Sequence, residues 1–165
     1  EKVHHAANMA GMAFSNAFLG VCHSMAHKLG AYHHLPHGLA NALLINEVIR
    51  YNAHEAPTKQ GIFPQYAFHD AAERYARVAA YIGIPGQTAE ERVDALIDKI
   101  DELKRRLDIP ETIKEAGIDE AHFYKKLDEM AEAAYDDQCT GTNPRIPLIK
   151  EITGIYVRAF TGSNE

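Results

Sequence analysis

The sequence predicts an all-α protein, and three observations lead to that prediction. Apolar residues recur at helical spacing, as in the stripe of Val93, Leu96, Ile97 and Ile100. No segment shows the alternation of apolar and polar residues that is typical of a half-buried strand. Capping residues and glycines separate the periodic segments. We therefore expect seven or eight helices around one core, in a single bundle-like domain.

The first half of the chain contains three predicted helices. Residues 2–19 are rich in Ala, Met and Phe and have little polar surface, which predicts a buried helix. The second helix ends near Leu29, where Gly30 suits a left-handed C-cap. The third covers residues 38–51, and residues 52–68 form a loop that contains Pro57, Gly61 and Pro64.

The second half contains the remaining helices, three of which have a capping residue at the start. Asp70 precedes the first, Thr88 and Glu91 form a capping box for the second, and Asp119 precedes a later one. Pro110 opens a short helix that Gly117 closes. The predicted spans are 71–81, 89–107, 110–116, 120–135 and 147–160, with a polar loop over residues 136–145.

Composition limits the class of protein. The chain has 165 residues, 46% of them apolar, which is enough for one domain with a core. Its net charge of −6 argues against nucleic acid as a partner. We find no apolar run long enough to span a membrane, and we expect no signal peptide from the first residues given. Two cysteines fit a reducing, cytoplasmic compartment. The chain begins at Glu1 with immediate helical periodicity, which favours a piece of a longer protein over a trimmed small one.

The strongest candidates for chemistry are three histidines, His23, His27 and His37. His23 and His27 are four residues apart, so a helix presents both on one face. A corner at Pro36 and Gly38 allows His37 to point to the same place. Imidazole is the commonest protein ligand of transition metals, so the pattern predicts a metal-dependent site, with structural histidines as the alternative. No carboxylate stands between His23 and His27, which disfavours metal-assisted peptide hydrolysis.

Other candidates carry weaker signals. We interpret Cys22 as a buried structural thiol, and Cys139 has no histidine near it in the sequence. Arg145 follows a turn that positions the last helix, or else binds a carboxylate or a partner subunit. We expect the other histidines to be structural, solvent-facing or indirect contributors to the site: His4, His5, His33, His34, His54, His69 and His122.

Spaced motifs in the first quarter of the chain resemble the signature of the iron-dependent (group III) alcohol dehydrogenases. They are the stretch MAGMAFSNA at residues 9–17, the pattern HxxAHxxG at 23–30 and the pattern PHGxANA at 36–42. The remainder, including DDQCTG at 136–141, is similar to the tail of bifunctional aldehyde-alcohol dehydrogenases. The resemblance covers essentially the whole chain.

The resemblance implies that residues 1–165 are the C-terminal helical, metal-binding domain of such an enzyme. In the family four residues hold the metal. Two of them, an Asp and a His, come from an upstream helix. The other two are histidines of the signature, and they match His23 and His37. His27 matches a family histidine that lines the substrate and nicotinamide pocket. Phe14 matches a position near the nicotinamide ring. The implied cofactors are Fe²⁺, with Zn²⁺ as the alternative, and NAD(H), with NADP left open.

The implied reaction is reversible reduction of an aldehyde, acetaldehyde in the first instance, to the alcohol with NADH. This chain lacks the upstream ligands and the NAD-binding domain, so we expect it to be inactive alone and to act with the remainder of the dehydrogenase chain. The resemblance also implies a homo-oligomer or filament. The alternatives are an assembly module without catalysis of its own and, third, a free-standing helical metal carrier.

Overall fold

The computed structural model describes residues 1–56 and 69–162, and in that part of the chain the secondary structure is helical with no strand. The prediction of an all-α fold is confirmed. A short 3₁₀ turn lies at Thr140–Thr142. The seven α-helices in the described ranges are α1 (Lys2–Ala17), α2 (Val21–His33), α3 (His37–Ala53), α4 (Ala71–Tyr81), α5 (Ala89–Arg106), α6 (Glu120–Tyr135) and α7 (Ile149–Thr161). Most of the predicted 52–68 loop lies outside the described residues.

The main core lies between α2, α3, α6 and α7. Helix α2 packs against α3 and α6, and α7 packs against the same two helices. At the centre the rings of Phe123 and Phe160 stack with centroids 4.2 Å apart. The buried Tyr156 hydroxyl donates a hydrogen bond to the Met25 carbonyl at 2.8 Å, which ties α7 to α2. Helix α2 is thus held on two sides, which gives its functional side chains a rigid base.

Helices α4 and α5 form a second layer on the other side of α3. They pack against each other and against α3. A smaller apolar cluster of Ile49, Val93 and Ile97 joins α5 to α3. The apolar stripe predicted for this helix continues through Leu103 to Leu107, and it is only partly buried, because these two residues are 51% and 60% exposed. In the same last turn Lys104 is buried, so the exposure is confined to one side of the helix end.

The prediction that the first helix is buried is wrong for this chain. None of the residues of α1 is buried, and Val3, Met9 and Met12 are 83%, 65% and 57% exposed. Periodicity identifies an apolar face, but burial needs a second surface against it. The described part of this chain provides no such surface for α1.

Two predicted boundaries are also corrected. Helix α2 continues past Gly30 to His33, and His34 takes the left-handed C-cap position with φ of 58°. A Cβ at Gly30 would stand 3.4 Å from the Leu35 carbonyl oxygen. Residues 110–116 form turns rather than a helix. The Ile113 amide there donates to the Ala159 carbonyl of α7 at 2.9 Å, so a tertiary hydrogen bond replaces a helical one.

Two of the three predicted caps act as expected. Thr88 and Glu91 form a capping box, and the Asp119 side chain accepts a hydrogen bond from the His122 amide. Asp70 stands at the N-cap of α4, but its carboxylate binds the Arg74 guanidinium at 2.9 Å instead of capping. Among the described residues, none of the helices is long and apolar enough to cross a membrane.

Candidate functional site

The turn between α2 and α3 brings the three predicted histidines together. His23 and His27 lie one helical turn apart on α2. His34 in its left-handed conformation reverses the chain, and Pro36 at the N-cap of α3 directs His37 back toward them. The corner predicted at Pro36 and Gly38 is therefore present, although the preceding helix ends at His34 rather than near Gly30.

The three imidazole rings form a triangle of unequal sides. The centroids of His23 and His37 are 5.3 Å apart, those of His27 and His37 are 5.5 Å apart and stacked, and those of His23 and His27 are 6.4 Å apart. His23 and His27 are half-buried and His37 is exposed. The three rings therefore lie close together at the edge of the helical core, although their nitrogen atoms do not all lie within 4.8 Å of one another.

The pair His23 and His37 fits a bound metal ion. Two imidazoles on one tetrahedral zinc, with Zn–N bonds of about 2.0–2.1 Å, hold their centroids about 5.2 Å apart. The observed 5.3 Å matches that geometry. His23 and His27 at 6.4 Å could share an ion only from opposite sides of it. The ring positions thus favour His37 as the partner of His23 around one ion.

The electrostatic environment of His23 also favours metal binding. Burial lowers the pKa of His23, and the neighbouring His37 and His27 lower it further. A neutral imidazole is the form that binds a metal, so the environment favours the ligating state at neutral pH.

His27 is held by a carboxylate that the sequence reasoning missed. Its Nδ1 lies 3.1 Å from Oδ2 of Asp137, and Lys28 Nζ lies 2.9 Å from the same oxygen. Burial acts to raise the pKa of Asp137, but hydrogen bonds from the Cys139 amide, Lys28 and His27 outweigh it and hold that pKa well below its usual range. An ionised carboxylate only accepts hydrogen bonds, so Nδ1 of His27 carries the proton and Nε2 is left as an acceptor.

The loop that carries Asp137 is fixed against α2 by buried polar contacts. Thr140 Oγ1 lies 2.8 Å from Ser24 Oγ and donates to the Ala134 carbonyl at 2.6 Å. The Val21 amide donates to Asn143 Oδ1 at 3.2 Å. Gly20 permits this approach, since a Cβ there would stand 2.6 Å from Asn143 Oδ1. The loop is therefore a rigid support for His27.

The same loop brings Cys139 to the site. Ligand atoms of His27, Asp137 and Cys139 lie within 4.8 Å of one another, the one such group of three in the described ranges. Lys28 already neutralises Asp137, and burial together with Asp137 raises the pKa of the Cys139 thiol. A protonated thiol is a poor ligand, so this trio suits a metal less well than His23 and His37 do.

The remaining candidates lie outside the histidine cluster. Phe14 is on α1 and 48% exposed, and in the described part of the chain no ring contact joins it to the three histidines. Cys22 is buried, as predicted, and burial raises its pKa to about 12. Arg145 lies over the Tyr51 ring at 4.3 Å and binds Glu151 in the first turn of α7 at 2.6 Å, so it positions the last helix.

Sequence comparison identifies relatives along nearly the whole chain. The family model described as "Fe-containing alcohol dehydrogenase family, C-terminal" matches residues 1–160. An aldehyde-alcohol dehydrogenase of Clostridium acetobutylicum is 56% identical over 97% of this chain, and a bifunctional aldehyde-alcohol dehydrogenase of Escherichia coli K12 is 53% identical over 98%. The chain spans 19% and 18% of those two relatives.

Solved structures show the same fold. The iron-containing alcohol dehydrogenase of Thermococcus thioreducens matches 98% of this chain with a TM-score of 0.76 and 37% identity. A 1,3-propanediol oxidoreductase matches 92% with a TM-score of 0.74 and 34% identity. This chain covers 37% and 35% of those two proteins.

Proposed function

Because the chain belongs to the Fe-containing alcohol dehydrogenase family, we propose that it is the metal-binding part of a longer, bifunctional aldehyde-alcohol dehydrogenase. The reaction is the reversible reduction of acetaldehyde to ethanol with NADH. The partners of the chain are the remainder of that enzyme and the small aldehyde or alcohol. Its free cysteines fit a cytoplasmic setting.

The observation that carries this proposal is the 5.3 Å separation of the His23 and His37 rings. These two side chains are the proposed ligands of Fe²⁺, and the imidazole pair would also accept Zn²⁺. When bound, the metal supplies Lewis-acid polarisation of the substrate's carbonyl oxygen. His23 and His37 contribute imidazole nitrogen donors from two helices whose mutual orientation the core holds rigid.

His27 is the proposed catalytic residue, and its role is proton transfer to and from the substrate oxygen. Its Nδ1–H is engaged by Asp137, which leaves Nε2 as the atom that takes or returns the proton at the substrate oxygen. Asp137 holds the ring in one tautomer and one orientation.

Phe14 is the proposed contact for the nicotinamide ring, whose cofactor supplies the hydride. Its aromatic side chain is half exposed on α1 and therefore accessible for packing against a flat ring. Two imidazoles are fewer than the three protein ligands usual at a catalytic metal. The chain alone should therefore bind metal weakly and be inactive.

The test uses the full-length enzyme with the variants His23→Ala and His37→Ala. Each should lose bound iron and NADH-dependent acetaldehyde reduction together, because each removes one of the ligands. His54→Ala, a change at an exposed histidine at the end of α3, is the matched control and should keep both. Stoichiometric iron with normal turnover in either ligand variant would refute the assignment.

A second candidate function is assembly, and the exposed apolar face of α1 favours it. Val3, Met9 and Met12 are largely exposed, and Lys2 is the one Lys, Arg, Asp or Glu in the helix. Such faces drive association between chains. Sizing of the chain with and without added metal tests this role. Oligomers that persist without metal and dissociate in Met9→Lys/Met12→Lys would support it, whereas a monomer would contradict it.

A further inference from the structure

A second pair of imidazoles lies at the junction of α2 and α6, away from the cluster described above. His33 is the last residue of α2, and His122 lies in the first turn of α6. Their ring centroids are 5.0 Å apart and their planes are nearly perpendicular, at 86°. His33 follows His23 by ten residues, which is about 15 Å along the helix. The pair is therefore separate from His23 and His37.

The spacing of the second pair is close to that of two ligands on one ion. Two imidazoles on one tetrahedral zinc have centroids about 5.2 Å apart, and the separation here is 5.0 Å. The two residues come from different helices, each anchored in the core next to the pair by Leu29 or Phe123. A cation between the rings would thus be held by two rigid elements.

An orphaned polar atom also points to a ligand at this place. His33 Nε2 is buried and has no hydrogen-bond partner. A buried ring nitrogen without a partner is costly, and a bound cation would remove that cost. Burial lowers the pKa of His33, and His122 and His34 lower it further, so the ring is neutral and able to ligate. His122 is exposed, which leaves room for water as the remaining ligands.

We propose that His33 and His122 bind one divalent transition-metal cation, of the Zn²⁺, Ni²⁺ or Cu²⁺ type. The ion joins the C-terminus of α2 to the N-terminus of α6. Imidazole nitrogen is a preferred ligand for each of these ions. The site is structural, because it lies outside the cluster of His23, His27 and His37 and depends on none of their side chains.

The test is equilibrium dialysis of the full-length protein against Zn²⁺, in a His23→Ala/His37→Ala background that removes the first site. In that background we compare the parent with His122→Gln, a change at an exposed residue. His54→Gln, at the exposed histidine that caps the C-terminus of α3, is the matched control. A second variant, His33→Gln, and the double variant complete the set.

The proposal expects His122→Gln to weaken the binding of one Zn²⁺ equivalent by about tenfold or more, because one of two protein ligands is lost. His33→Gln should do the same, the double variant should add little, and His54→Gln should bind as the parent does. Parent-like Zn²⁺ binding in His122→Gln would overturn the site and leave the two rings as a packing contact. Equal weakening by His54→Gln would overturn it as well, since the loss would then not depend on this pair.

Discussion

Asp137 accepts a hydrogen bond from Nδ1 of His27 at 3.1 Å, although 110 residues separate the two in the chain. The same carboxylate oxygen binds Lys28 at 2.9 Å, so one side chain fixes two consecutive residues of α2. This contact determines which nitrogen of His27 is engaged by the carboxylate and which is left without it. It also makes Asp137 the support for the residue to which we assign the proton transfer.

Asp137→Asn in the full-length enzyme should lower kcat for acetaldehyde reduction by at least about tenfold, because an amide no longer selects the tautomer of His27. Bound iron should be retained, since His23 and His37 are untouched. Turnover and iron content are measured on the same preparation. Lys28→Met is the control that removes the ion pair but keeps the carboxylate on His27, and its kcat should fall less. Loss of iron in Asp137→Asn would instead make Asp137 part of the metal site.

The stability of the chain should fall in acid, and Asp137 should account for part of that fall. Its pKa is held well below its usual range in the folded state, whereas the pKa of an unfolded aspartate is about 3.9. The contribution of Asp137 is therefore present above pH 4 and is lost as the pH falls toward the folded-state pKa. Free energies of unfolding measured by urea denaturation between about pH 5 and pH 2 should change less steeply in Asp137→Asn. The control is Asp136→Asn, a change at the exposed neighbouring residue, and it should keep the wild-type dependence of unfolding free energy on pH. If Asp137→Asn also kept the wild-type dependence, this account would be contradicted.

Gly20→Ala should destabilise the fold by about 1–3 kcal/mol, as overpacking does. The added Cβ would stand 2.6 Å from Asn143 Oδ1, which accepts the hydrogen bond of the Val21 amide. Chemical denaturation of the variant measures the loss. Gly141→Ala is the matched control, because no atom lies within 4 Å of its Cβ position. If both variants were equally stable, the close approach of Asn143 to Gly20 would not constrain the sequence there.

Thr88→Ala should cost about 1 kcal/mol of unfolding free energy, the usual cost of losing an N-cap side chain. Thr88 Oγ1 accepts a hydrogen bond from the Glu91 amide at 3.1 Å, and no methyl group can replace that acceptor. Thr88→Ser keeps the hydroxyl and should remain close to the wild type. Thermal or urea unfolding of the three proteins, monitored by helical circular dichroism, distinguishes them. A Thr88→Ala protein as stable as Thr88→Ser would show that the capping box contributes nothing here.

Features encoded over a few residues were predicted well. The capping boundary of α5 at Thr88 and the helical pairing of His23 with His27 depend on contacts within one turn, so a short stretch of sequence contains all the information. Where a tertiary contact competes with local preference, the prediction failed. Ile113 bonds to Ala159 instead of forming a helix, and Gly30 lies inside α2 rather than at its end.

The sequence by itself determined the all-α fold, the positions of most helices and the set of three histidines at the α2–α3 corner, because periodicity and turn chemistry are local properties of the chain. Tertiary structure alone decided that Asp137 holds His27, that His33 meets His122, and that the apolar face of α1 stays exposed. These outcomes depend on how rigid helices pack across long stretches of chain. A short sequence pattern does not predict which helix surfaces will pack against each other.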